Sequence, residues 1–525
     1  MYIAPNTTIK LYSGIPLDNT YNHTLYFDTL ANQNAYFHAG TTPKYTLPVN
    51  TYQRVEKGKM RIAKKSDDLY DCNYLAFQNT NFGSKWFYAF ITGVEYVNNE
   101  TSEVTFEIDS MQTYLFDVHL LQCFVEREHS ATDDIGDNIQ PEPVELGEYV
   151  ISDYGLVKSL VDYAFILAII DENDTSGGNI YDGIYSGAQL WAYKSSDLAS
   201  LQAKVSSYIA KPEQIISIYV CPKACVKGDN QDISTGGENL TGNANGHRYY
   251  IQLNSVTQES QTFGNYTPKN KKLYTYPYNF VTIDNAKGQS LILRYEFFDN
   301  LTPVIELSTN ITMPVQVVAR PCSYKGLPAY TELGGYTSSK SESLSLDNYP
   351  VCSWSNDSYA RWVAQKTIPL LLSGISKTIG GTMTFGGLGG VLGLGNSIIN
   401  TITQQYEASI KADECRGNIS DASINVANRY QNFYKSRTHI TKDYAVTIDQ
   451  FFTMFGYATN RVKIPYRHSR PHWNYVKTKG CVVRGLAPVD DINKICSIYD
   501  NGITFWHNPS EVGDYSYNNA PVVTP

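Results

Sequence analysis

Charge is scarce in this chain. Only 18% of its 525 residues are Asp, Glu, Lys or Arg, against roughly 25% in an average globular protein. The formal net charge is −9 and no basic face is evident, which argues against gripping nucleic acid through its phosphates. Catalytic signatures are missing as well: there is no P-loop, HExxH, GxSxG or doubled CxxC pattern. The nine histidines are isolated. The nine cysteines (Cys72, Cys123, Cys221, Cys225, Cys322, Cys352, Cys415, Cys481, Cys496) are scattered and odd in number. They do not form a disulfide framework and are expected as buried free thiols from cytosolic assembly. Cys221 and Cys225 are the one close pair, and a zinc site needs about four ligands. Asp171–Asp182 has a faint likeness to a calcium loop, but Ser176 stands where Gly is required and Asp182 where Glu is required. It reads as a polar turn. The opening residues lack the basic, apolar, small-residue order of a signal peptide. Glu126 and Glu128 in VEREH are a carboxylate pair of a kind common on strands. No catalytic residue, metal or cofactor is therefore expected.

What the chain has in quantity is aromatic and β-forming sequence. Phe, Trp and Tyr make up 13%, with 42 tyrosines. Such residues suit wide, half-buried β surfaces, and low charge with many aromatics suits extensive subunit contacts. The fold expected is mainly β, with an α+β middle region. Tyr74–Asn79, Lys85–Val97 and Val104–Asp109 read as three strands in meander order, with Asn98 and Asn99 in one turn. Ser110 or Asp109 is positioned to cap a helix start. Residues 129–148 are acidic, hold Pro141 and Pro143, and read as a linker. In a middle block of 149–365, Asp162–Ile170, Glu213–Pro222 and Ser290–Phe298 read as strands and Ser196–Ala210 as a capped helix. Lys227–Gly246 reads as an exposed polar loop. Toward the end, Tyr444–Phe452, Asn474–Gly485 and Ile503–His507 read as strands. Before them, Ala412, Cys415, Ile419, Ala422, Val426, Tyr430 and Phe433 recur in steps of three and four, the spacing of one face of a long helix over Glu407–Phe433.

One segment departs from all of this. Ile368–Tyr406 holds a single charged residue, Lys377, in 39 positions, and nine glycines. Its apolar members are Leu370, Leu371, Leu372, Ile375, Ile379, Met383, Phe385, Leu388, Val391, Leu392, Leu394, Ile398 and Ile399. Exposed apolar sequence of this extent marks an interface or a membrane-active element. As one helix it would reach nearly 60 Å, twice a bilayer core of about 30 Å. Folded at its Gly-rich centre, each arm of about 19 residues would reach about 28 Å. Each interior glycine costs a helix about 1 kcal/mol, so a resident transmembrane helix is a poor reading and an adaptable apolar loop a better one. An oligomer plug, a membrane-active element and a segment buried in a large core all remain open on this pattern alone.

Two motif runs narrow the choice. The first is YLAFQNTNFGSKWFYAFITGVEYVNNETSEVTFEIDSMQTYLFDV followed by FVEREH (Phe124–His129). The second is FGYATNRVKIP (Phe455–Pro465), then NYVKTKGCVV (Asn474–Val483), YDNGITFWH (Tyr499–His507) and GDYS (Gly513–Ser516). In this order, at opposite ends of the chain, they resemble the distal tail, or tail knob, proteins of small short-tailed phages (Picovirinae-type podoviruses). The resemblance covers about 70–130 and 450–517. It implies a tube built from β-barrel or sheet domains at both chain ends (1–128 and 407–525), a knob insertion over 149–365, and a hydrophobic plug loop over 366–406. It also implies a homo-hexamer in the virion's tail tip, bound to other phage tail proteins of the proximal tube or collar. Viral genomic DNA would pass through the lumen without sequence-specific binding. On infection the loops would leave the lumen and enter the host cytoplasmic membrane. The alternative expectation is a receptor-binding tail protein without membrane activity, using exposed loops of the middle region.

Overall fold

The computed structural model describes residues 7–50, 58–80, 83, 85–160, 162–170, 180–181, 184–185, 188–208, 214–240, 246–253, 260–285, 288–299, 302–311, 315–324, 329–333, 336–339, 344–346, 351–352 and 432–521. The fold is mainly β, and the chain divides into two units. The first takes in Met1–Gly147, Thr262–Leu273 and Thr441–Pro525. The second takes in Glu148–Gln261 and Tyr274–Ile440.

The first unit is built on a six-stranded antiparallel sheet. Its order is Tyr45–Asn50, Thr7–Ser13, Cys72–Asn79, Trp86–Asn98, Thr101–Ile108, Lys59–Ile62. The three expected meander strands sit side by side within it. Strand side chains alternate between faces, and both faces are used. Tyr12, Tyr74, Ala76, Tyr88 and Phe90 enter one buried cluster, while Ile9, Leu11, Leu75, Ala89, Val104 and Phe106 enter another. Asp109 caps the short helix Ser110–Tyr114 by accepting from the Gln112 amide at 3.0 Å.

A second sheet interleaves the two chain ends. Its order is Thr24–Leu25, Ile503–Trp506, Trp473–Lys479, Cys123–Glu128, Tyr457–Lys463. Its inner face carries Trp473 and Trp506, both fully buried with ring centroids 5.0 Å apart. Tyr444–Phe452, expected as a strand, is helical: it lies within the helix Lys442–Phe455. The alternation of Tyr444, Val446 and Ile448 imitates a strand, but the residues actually buried are Ala445, Ile448, Asp449 and Phe452, which share one helix face. A further helix, Val489–Asn501, buries Ile495, Ile498 and Tyr499.

The second unit contains three larger sheets. Glu238–Asn239, Ala188–Lys194, Tyr163–Ile170, Ile215–Pro222 and Val351–Cys352 form the first. Tyr163–Ile170 is buried over all but its last residue, as its continuous apolar run requires. Tyr149–Leu156, Tyr434–Ile440, Asn279–Asp284 and Ser290–Arg294 form the second. Arg248–Gln252, Val304–Asn310, Gln316–Pro321 and Leu344–Leu346 form the third. The helix Leu198–Ser207 starts at Asp197, which caps the Ser200 amide. The run expected as a strand over Ser290–Phe298 ends at Arg294 and passes into a tight helical turn, Tyr295–Phe297. Cys221 and Cys225 are both buried free thiols. Within the expected polar turn Asp171–Asp182, Ile180–Tyr181 is a short strand paired with Ile184–Tyr185; the rest of that stretch lies outside the described residues, as does the expected helix Glu407–Phe433 except for its last two residues.

Trp473 and Trp506 are among the largest fully buried side chains of the described residues. Trp506→Ala should cost about 3–5 kcal/mol, read as a lowered urea midpoint by tryptophan fluorescence.

Candidate functional site

All thirteen apolar residues singled out in the loop, from Leu370 to Ile399, lie outside the described residues. What the structure supplies is the chain on either side. Val351–Cys352 pairs with Ile218 and Tyr219 at the edge of the five-stranded sheet. Downstream, Asn432 is buried and its Oδ1 accepts from the Leu160 amide at 3.0 Å. The buried Phe433 carbonyl accepts from the Val157 amide at 2.9 Å. The strand Tyr434–Ile440 then runs between Tyr149–Leu156 and Asn279–Asp284. Both flanks of the apolar segment thus belong to the second unit.

The motifs that carried the family resemblance meet in the first unit, in a buried polar network. Glu128 accepts from Lys463 Nζ at 2.6 Å and from the Tyr466 amide at 2.9 Å. Burial pushes its carboxyl above the usual range, and Lys463 and the amide oppose that. One residue earlier, Arg127 pairs with Glu142, donates to the Gly456 carbonyl at 2.7 Å and lies over the Phe451 ring. Glu142 also takes Lys272 and the Ala458 amide. Burial lowers the Lys272 ammonium, with Glu142 acting against the shift. Asp449, on the helix Lys442–Phe455, accepts from Tyr266 and from the amides of Lys269 and Asn270. Tyr457 donates to Asp133. His129 is clamped between the Thr453 carbonyl and the Tyr475 amide.

Sequence reading marked Glu126 and Glu128 but not Glu142, Asp133, Asn270, Lys272 or Asp449. The acidic stretch 129–148 and the segment 262–273 carry no periodic signal that announces burial. Every ion in the network is held by protein partners, so the arrangement locks segments together rather than presenting an acid, base or nucleophile. Among the described residues no group of three His, Cys, Asp or Glu could hold a metal ion, and no helix is long and apolar enough to cross a membrane.

Comparison with known proteins places this architecture. A family described as the tail knob protein gp9 of Bacillus phage phi29, C-terminal domain, matches residues 241–520. The chain belongs to this tail knob family. Residues 5–119 match a second family, described as the Caudoviral major tail protein N-terminus. Tail knob protein gp9 of Bacillus phage phi29 is 23% identical over 98% of both chains, and that of Bacillus phage B103 is 24% identical over the same share. The solved structure of the bacteriophage C1 tail knob protein, gp12, matches with a TM-score of 0.61 at 15% identity, over 98% of each chain, and so shares the fold. As a tail knob protein the chain is a structural component of the virion's tail, not an enzyme.

Within this tail knob fold, Gly456 has φ of 65°, and a Cβ there would stand 2.2 Å from the Glu128 carbonyl oxygen. Gly456→Ala should destabilise the first unit by more than about 3 kcal/mol, seen as a lowered urea midpoint. Burial lowers His38 to about 4 and both His129 and His507 to about 3. These rings stay neutral in the fold but take up protons once unfolded below their ordinary value of 6.5. Their stability contribution is therefore full above that pH and is lost as pH falls toward 3. Buried Asp109, raised to about 6, works the other way between its ordinary value and 6. Burial also raises the carboxyls of Glu128, Asp133 and Glu296, which side with Asp109, so thermal scans read the histidine contribution by difference: from pH 6.5 to 4 the wild type should lose melting temperature relative to His507→Gln. The expected slope of that difference is roughly 1.4 kcal/mol per pH unit.

Proposed function

We propose that six copies of this chain form the tail-tip conduit through which the genome leaves, plugged by residues 366–406 until those loops are released into the host cytoplasmic membrane. The observation that carries the reading is the charge-poor, glycine-loosened segment Ile368–Tyr406 in a tail knob protein whose remaining sequence is polar. One such loop alone would expose its apolar surface to water. Six converging on an axis bury it against one another at about 25 cal/mol per Å², so plugging depends on the oligomer. Opening the tube exposes that surface again, and a bilayer accepts it. Lys377 is tolerable near an arm's end or facing a wet pore, and costly at the centre of a lipid face. The segment has no Asp or Glu of its own, so an acid trigger would act from outside it, for example at Glu407. The tube wall is assigned to residues 1–128 and 407–525 and the knob to 149–365. DNA would slide through a conduit that offers it no sequence-specific contact.

Full-length protein should scatter light as a hexamer and release dye from liposomes. Deleting Ser373–Asn400 should preserve the hexamer and abolish release. Leakage that survives the deletion would remove the loop from the mechanism.

A further inference from the structure

The four-stranded antiparallel sheet of the second unit ends in two edges of opposite character. Its inner face buries Val281, Ile283 and Leu293. Its outer side is unusually apolar at both margins. On the strand Tyr149–Leu156, Ile151 and Tyr154 are each 66% exposed, with Tyr149, Val150 and Leu156 exposed beside them. On the strand Ser290–Arg294, at the far margin, Ile292 is 47% exposed. Long exposed apolar edges invite strand addition, and proteins ordinarily blunt them.

Three features select the occupant. First, the sheet has an even number of strands, all antiparallel, in the order Tyr149–Leu156, Tyr434–Ile440, Asn279–Asp284, Ser290–Arg294. Its two edge strands therefore run in opposite directions, and a second copy added head to tail continues the antiparallel pattern. Second, the edges are complementary in charge. Exposed Glu148 and Asp153 flank the apolar run of one edge, and exposed Arg294 ends the other. Two copies meeting through the same edge would set like charges against each other, at a cost. Third, the regular run is matched in length. A bulge between Ser152 and Gly155, with Asp153 at φ of 51°, interrupts the first edge after Ser152. Tyr149–Ser152 is left to face Ser290–Leu293, because the Arg294 amide already donates to the Tyr324 hydroxyl at 3.0 Å.

We propose that Tyr149–Ser152 of one copy pairs with Ser290–Leu293 of the next. This contact rests on the ring proposed above and specifies how it is joined. It is heterologous, the kind that closes into a ring when the rotation per copy allows. Its main-chain hydrogen bonds supply order, and burial of Ile151 and Ile292 supplies the apolar contact.

The test uses full-length chains carrying Ile151→Cys, Ile292→Cys, or both, treated with a short bismaleimide and compared with treated wild type, which sets the background from the native thiols. Oligomer size before treatment is read by light scattering. The double variant should give a ladder of cross-linked multiples up to the ring, and neither single variant should exceed background. A dimer from Ile151→Cys alone would show a two-fold contact and overturn the proposal. So would a double variant that assembles to wild-type size without a ladder, which leaves the ring reading standing. A monomeric wild type would instead overturn the ring reading, and this contact with it.

Discussion

Glu142 is the residue on which the first unit turns. It is an anion without access to water, and it is met by Arg127, Lys272 and the Ala458 amide. Those partners come from three stretches of chain that are distant in sequence. Burying ions costs several kcal/mol each unless geometry and additional hydrogen bonds offset it. Here the offset exists only when all three stretches are in place. Leaving one partner out would strand an uncompensated charge, a penalty of about 3–5 kcal/mol. The network thus makes the unit all-or-none in its connectivity, which apolar packing alone would not.

How much of this was legible in the sequence follows from the kind of signal each part carries. The N-terminal meander was readable because Tyr74–Asn79, Trp86–Asn98 and Thr101–Ile108 combine β-branched and aromatic residues with Asn turns. The buried strand Tyr163–Ile170 announced itself by an unbroken apolar run. The helix Lys442–Phe455 misled because its apolar residues fit a two-residue period as well as a helical one. The polar network was illegible for a related reason. Periodicity reports greasy faces, and Glu142, Asp133 and Lys272 are buried by pairing, which leaves no periodic trace. Yet the family motif FVEREH proves to be the strand that supplies Arg127, Glu128 and His129 to that network, so the resemblance had marked it by another route.

The division of labour between the units bears on the proposed activity. Upstream of the apolar segment Val351–Cys352 is an edge strand, and downstream the side-chain carbonyl of Asn432 accepts from the Leu160 amide. The first contact is a backbone strand pairing, and the second is a hydrogen bond from a backbone amide to a side-chain carbonyl beside the strand Tyr434–Ile440. The register of Tyr434–Ile440 is set by its backbone pairs with Tyr149–Leu156 and Asn279–Asp284.

The interleaving of the two chain ends also constrains biosynthesis. Cys123–Glu128 lies between Trp473–Lys479 and Tyr457–Lys463, and the sheet continues to Ile503–Trp506. Cys123–Glu128 must therefore wait, during synthesis, for partners that lie far downstream in the chain. A chain cut short before Tyr457 would lack both neighbours of that strand. Such a strand presents unpaired backbone on both sides and is a template for pairing with other chains.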